Sequence, residues 1–105
     1  MTRLEFDFQV ALDHPSLPGH FPGRPLVPGV LLLDHVLQAI SQSTGHDVGG
    51  LRQVKFMSAL LPGERAHGSC EVDGLRVSFR VLTRRQDASV VVAEGAASLI
   101  ARGVP

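Results

Sequence analysis

The sequence has one cysteine, Cys70, and neither tryptophan nor tyrosine among its 105 residues. A lone thiol makes no intrachain disulfide and supplies no zinc-ligand pattern. Cys70 therefore reads as a small buried or half-buried residue in a reducing compartment, with no activating partner to make it catalytic. Phe is the only large aromatic, so a base-stacking platform is lacking. Ten basic and ten acidic residues give a formal net charge of zero. That removes the bulk electrostatic case for nucleic acid or an anionic membrane. No apolar run approaches the roughly 20 residues of a membrane span, and Met1–Phe6 lacks the apolar stretch of a signal peptide. The expectation is a cytoplasmic protein. With no repeat, linker or low-complexity tail, residues 1–105 are expected to form a single domain with one modest core.

What is present is ordinary in amount, 44% apolar and 19% charged, and distinctive in order. Leu4–Val10 alternates apolar and polar residues as a half-buried strand does. Five prolines between residues 11 and 28 exclude regular structure there. From Val30 to about Ser43 the apolar residues fall on nearly every side, which predicts a buried helix, punctuated by Pro28-Gly29 before and Thr44-Gly45 after. Strands are expected over Leu51–Leu60, Arg65–Val72, Leu75–Val81 and Ser89–Ile100, with Asp73-Gly74 marking a tight hairpin. The small residues Glu94-Gly95-Ala96-Ala97-Ser98 suggest a strand lying close under something. The fold class is α+β. One helix is buried by an antiparallel sheet wrapped around it, and an exposed sheet edge and helix flank favour self-association.

The stretch Gly19–Val30, GHFPGRPLVPGV, sets His20 in a loop stiffened by proline. Gly29 precedes the helix, where free N–H groups and the helix dipole bind negative charge. Asp34 lies one turn into the apolar run, and Gln38 is four residues on, placed to hydrogen-bond its carboxyl. A base, an acid and an amide at a helix start are what dehydration beside a thioester carbonyl needs. Burial in the apolar helix is expected to raise the pKa of Asp34, so that it can act as an acid. Plainer roles stand beside these: His20 as a turn residue, Asp34 as a dipole-stabilising acid, and His35 or Asp34 lining a dimer surface. His14, His46 and His67 read as surface residues without a partner. Arg24, Lys55, Arg65, Arg84 and Arg85 read as solvated charge that could also dock an acidic carrier.

The run GHFPGRPLVPGVLLLDHVLQ, Gly19–Gln38, resembles the active-site segment of the hot dog 3-hydroxyacyl-acyl carrier protein dehydratases of bacterial fatty acid synthesis. Their motif is H-F-P-x-x-P-x-x-P-G-V-L, with an acid fourteen residues after the His and a Gln four later, here His20, Asp34 and Gln38. VKFMSALLPGE, Val54–Glu64, resembles the strand and Pro-Gly turn that follow the central helix in that family. The resemblance implies a hot dog fold and His20 as base, held by the Leu26 carbonyl. It implies the Gly29 N–H on the thioester oxygen, and Asp34 as acid from the other subunit. An acyl tunnel would involve Phe21, Pro28, Val30, Leu33 and Phe56. The implied partner is acyl carrier protein, whose phosphopantetheine arm carries the substrate. No metal or redox cofactor is implied. The assembly would be a homodimer or larger, or a hetero-oligomer with a paralogue. Typical members carry a further strand and gating loop before the segment matching Leu4–Val10, so a more open tunnel and a sheet one strand short are expected. Fatty acid synthesis and polyene or other polyketide-like pathways both use such proteins. A hot dog thioesterase and a non-catalytic acyl-binding partner are the competing readings.

Overall fold

A computed structural model describes residues 1–11 and 26–101. Five strands, β1 (Thr2–Gln9), β2 (Asp47–Phe56), β3 (Arg65–Asp73), β4 (Arg76–Arg85) and β5 (Ala88–Ile100), and one helix, α1 (Gly29–Thr44), account for most of them. The strands form one sheet in the order β1-β3-β4-β5-β2, every pair antiparallel. β1 and β2 are thus opposite edges, and the chain between them contains α1. A helix linking two opposite edges must run across one face of the sheet, and this is the face that holds the core.

Period-two alternation decides which strand residues meet the helix. Ala66 and Cys70 on β3, Val77, Phe79 and Val81 on β4, and Ala93, Ala97 and Leu99 on β5 point inward and are buried. Leu4, Phe6 and Phe8 of β1 close the core from one side. From the helix come Leu32, Val36 and Ile40, spaced i, i+4, i+8 along a single face. The small run of β5 does lie under a neighbour. Gly95 faces Phe79 across the ladder, and a Cβ there would stand 2.8 Å from the Phe79 ring.

The helix differs from expectation. It is not buried all round: Leu31, Leu33 and Leu37 are half-buried, and Val30 is 83% exposed. Its own sheet covers one face only. At its far end Gly45 adopts the left-handed conformation (φ 73°) and returns its N–H to the Ser41 carbonyl at 2.9 Å, which stops the helix as a glycine C-cap does.

The strand expected over Leu51–Leu60 is displaced. β2 begins at Asp47, and Gly49 and Gly50 lie within a strand that pairs with β5 through two register shifts. It ends at Phe56, where the Met57 and Ser58 N–H groups both reach the Val92 carbonyl, at 2.8 and 3.3 Å, and the chain turns away. The β4–β5 connection is a two-residue turn, Gln86-Asp87, with φ 49° and 64°, the pattern of a type I′ hairpin.

Candidate functional site

The candidate site is built around the start of α1. Pro28 is the N-cap residue, with φ −59° and ψ 142°, and among the described residues no side chain caps the turn that follows. The first backbone bond of the helix is Leu32 N–H to the Pro28 carbonyl, 3.1 Å. The N–H groups of Gly29, Val30 and Leu31 therefore have no intrahelical acceptor. The first turn contains no acid, so the positive end of the helix dipole is not neutralised from within. Gly29 is the first helical residue rather than the one before the helix.

Phe56 stands over this start. A Cβ on Gly29 would lie 2.8, 3.1 and 3.2 Å from its Cζ, Cε1 and Cε2 atoms. The ring is itself 54% exposed. A side chain at residue 29 would thus displace Phe56, a contact that the motif alone did not reveal.

Asp34 departs from expectation. It sits two residues after Leu32 and two before Val36, about 200° around the helix from each. It is exposed, as are Val30 and Gln38 on the same stripe. The burial expected for its carboxyl is not supplied by its own sheet. Gln38 shares the face, but no hydrogen bond joins it to Asp34 among the described residues. Of the other expected site residues, Leu26, Pro28 and Leu33 are half-buried. His20 and Phe21 lie outside the described residues, as do Arg24 and His14. His35, next to Asp34, stacks on Phe8 of β1 with centroids 4.7 Å apart and rings 5° from parallel.

Several residues read as solvated have partners. Arg85 bonds the Glu64 carboxylate in a two-pronged fork, both contacts 2.7 Å, and also reaches the Ala59 carbonyl. The hydrogen bond from Arg85 holds the Glu64 carboxyl below its usual range. His67 bonds Asp7 at 2.7 Å and Glu5 at 3.3 Å across the β1–β3 ladder. Those two contacts, Asp7 first, raise the pKa of the imidazole. His46 is half-buried, with a buried Nδ1 that has no hydrogen-bond partner among the described residues. Cys70 is buried as expected, and desolvation pushes its thiol up to about 11.

Comparison with known proteins gives this architecture its class. Solved structures that share it include acyl-CoA hydrolase from Staphylococcus aureus in complex with coenzyme A (mutant Asn28Ala). That chain is 14% identical, with TM-score 0.72 over 94% of this chain and 64% of that one. A single helix on a five-stranded antiparallel sheet is the hot dog fold. The dehydratase heterocomplex ApeI:P from Xenorhabdus doucetiae is 23% identical, with TM-score 0.77 over 92% of this chain and 86% of that one. An uncharacterized protein from Erwinia carotovora subsp. atroseptica is 25% identical, with TM-score 0.81 over 93% and 82%. The ApeI dehydratase family model matches residues 1–95. The chain belongs to the ApeI-like dehydratase family. A curated relative, 3-hydroxyacyl-[acyl-carrier-protein] dehydratase FabZ of Lawsonia intracellularis, is 33% identical over 60% of this chain. The matched region spans about half, 49%, of that relative.

Proposed function

We propose that the chain dehydrates a 3-hydroxyacyl thioester on acyl carrier protein to the trans-2-enoyl thioester, in fatty acid or polyene- or polyketide-type synthesis. His20, oriented by the Leu26 carbonyl, removes the proton beside the thioester carbonyl. The Gly29 N–H receives the carbonyl oxygen as negative charge gathers on it. The electron pair then forms the C=C bond as the β-hydroxyl departs. Asp34 of a second subunit gives that hydroxyl a proton, so that it leaves as water. Gln38 steadies Asp34, and Phe21, Pro28, Val30, Leu33 and Phe56 border the acyl chain. The substrate's phosphopantetheine arm is the only carrier group needed, and the site of action is the cytoplasm.

The observation that carries this reading is the uncapped start of α1, where N–H groups without intrahelical acceptors stand beside an exposed Val30–Asp34–Gln38 stripe. A second copy laid over that stripe supplies the burial a carboxylic acid needs to act near neutral pH. A second reading, a partner subunit that works beside a paralogue, draws on the heterocomplex formed by the Xenorhabdus relative.

The test is direct. Purified protein is mixed with a 3-hydroxyacyl carrier thioester and followed by mass spectrometry. The expected product is the 2-enoyl thioester; free acid would identify a thioesterase, and no change would favour the partner reading. His20→Ala is expected to stay folded and to lose about 10²–10⁴-fold in rate. A variant that keeps more than about half of the rate contradicts the role of the base.

A further inference from the structure

Leu60 is held from both sides. The carbonyl of the residue before it, Ala59, accepts from Arg85 Nη2. The N–H of the residue after it, Leu61, donates to Glu64 Oε1 at 2.8 Å. Arg85 and Glu64 are themselves joined, Nε to Oε2 and Nη2 to Oε1, each 2.7 Å. Between these two anchors Leu60 is buried, and its carbonyl accepts the Val27 N–H at 2.9 Å. Val27 is two residues before Gly29. Pro28 between them has a φ fixed by its ring, so a shift at Val27 is passed on rather than absorbed.

The same turn holds the chain on the other side of the His20 segment. Gly63, at φ 85°, donates its N–H to the Val10 carbonyl at 2.8 Å. Gln9 Nε2 donates to the Gly63 carbonyl at 2.7 Å. An ordinary surface ion pair contributes little. This one differs in that its side chains are only 33% and 19% exposed, and in that it grips backbone groups on both flanks of Leu60.

We propose that Glu64 and Arg85 are positioning residues. They fix the Leu60 carbonyl, which anchors Val27, and through Val27-Pro28 they set the direction of the Gly29 N–H. The inference rests on the reading of Gly29 as the donor to the thioester oxygen. A donor displaced by about 1 Å costs on the order of 10²-fold in rate, and an interaction realised only in the transition state is lost from kcat rather than from KM.

The experiment compares Glu64→Gln, Arg85→Gln and Arg85→Lys in the full chain by amide hydrogen exchange and by turnover of a 3-hydroxyacyl carrier thioester. Exchange at Val27 is expected to quicken by about tenfold or more in the Gln variants, with the β3–β4 ladder as protected as in the wild type. Their kcat is expected to fall about 10–100-fold with KM nearly constant. Lys keeps the charge but not the fork, so Arg85→Lys should recover only part of the rate. The double variant Glu64→Gln/Arg85→Gln should be no slower than either single one. Unchanged Val27 exchange, a loss of protection spread over the whole sheet, or a higher KM at constant kcat would each overturn the proposal. Should a Gln variant fail to fold, Arg85→Lys carries the same comparison. A wild-type chain without turnover refutes the dehydratase reading instead, and Val27 exchange alone then decides whether the pair holds the helix start.

Discussion

Replacing Gly29 by alanine tests the helix start most sharply, because two opposing effects can be sized. The new Cβ would lie 2.8 Å from Phe56 Cζ, whereas a relaxed carbon–carbon contact is about 3.5–4.0 Å. The ring must therefore retreat by roughly 0.7–1.2 Å. It is 54% exposed, so it can swing outward. Uncovering about 20–40 Å² of apolar surface costs about 0.5–1 kcal/mol at 25 cal/mol per Å². Against this, alanine in a helical position gains about 0.5–1 kcal/mol over glycine. The terms nearly cancel, and Tm should move by no more than about 5 °C. Activity should not be spared. The displaced ring and the methyl crowd the N–H, and loss of one such donor costs about 10²–10³-fold. Thermal melts and steady-state rates on Gly29→Ala, Phe56→Ala and the double variant form a complete cycle. The pair should show about 0.5–1 kcal/mol of coupling, since removing the ring removes the clash. Stabilities that add within about 0.3 kcal/mol, or a Gly29→Ala rate equal to wild type, would refute the argument.

Other outcomes are equally concrete. When His20→Ala and Asp34→Ala chains exchange subunits at random, half of the dimers are mixed and each holds one complete site. About a quarter of the wild-type rate should return; none, with exchange confirmed by mass, removes the shared site. Cys70, with its thiol pushed up to about 11, should resist a thiol reagent at pH 8 until the protein unfolds, and rapid labelling of native protein contradicts its burial. The raised pKa of His67 means that its contacts with Asp7 and Glu5 add stability below its ordinary pKa, about 6.5. That gain is lost as pH rises through the higher native value. Melts of His67→Ala should lack this slope, and an identical profile would sever the link. Asp87→Gly, in a turn whose second central residue has φ 64°, should raise Tm by a few degrees, about 0.5–1 kcal/mol. A lower Tm would mean that the Asp87 side chain has a role in the turn.

Alternation was enough to find β1 and β4, and a lone apolar run bounded by Pro-Gly and Gly was enough to find α1. The start of β2 was hidden because Gly49 and Gly50 break an isolated pattern, yet here they lie within a strand laid along β5. Asp34 was misplaced for a geometric reason. Apolar residues counted around a helix do not reveal which face its own sheet covers; only the Leu32–Val36–Ile40 stripe turns inward. Partners far apart in sequence were not legible. Asp7 meets His67 only because β1 pairs with β3 in that register, and Arg85 meets Glu64 because the end of β4 passes the turn after β2. The candidate site residues came from one motif, whereas the Arg85–Glu64 contact beside the helix start had no sequence signal.

The strand order has a consequence for the time course of folding. β3, β4 and β5 are joined by short turns and pair in sequence, so they need little loop closure. β1 must find β3 across the whole intervening chain, Thr2 facing Val72, and β2 must find β5, Asp47 facing Ile100. Long closures of this kind come late. The meander is expected to form the nucleus, with β1, α1 and β2 docking afterwards. Substitutions on the helix would then quicken unfolding and leave refolding almost unchanged. The elements that carry Gly29, Asp34 and Phe56 would be the last to assemble and the first to open.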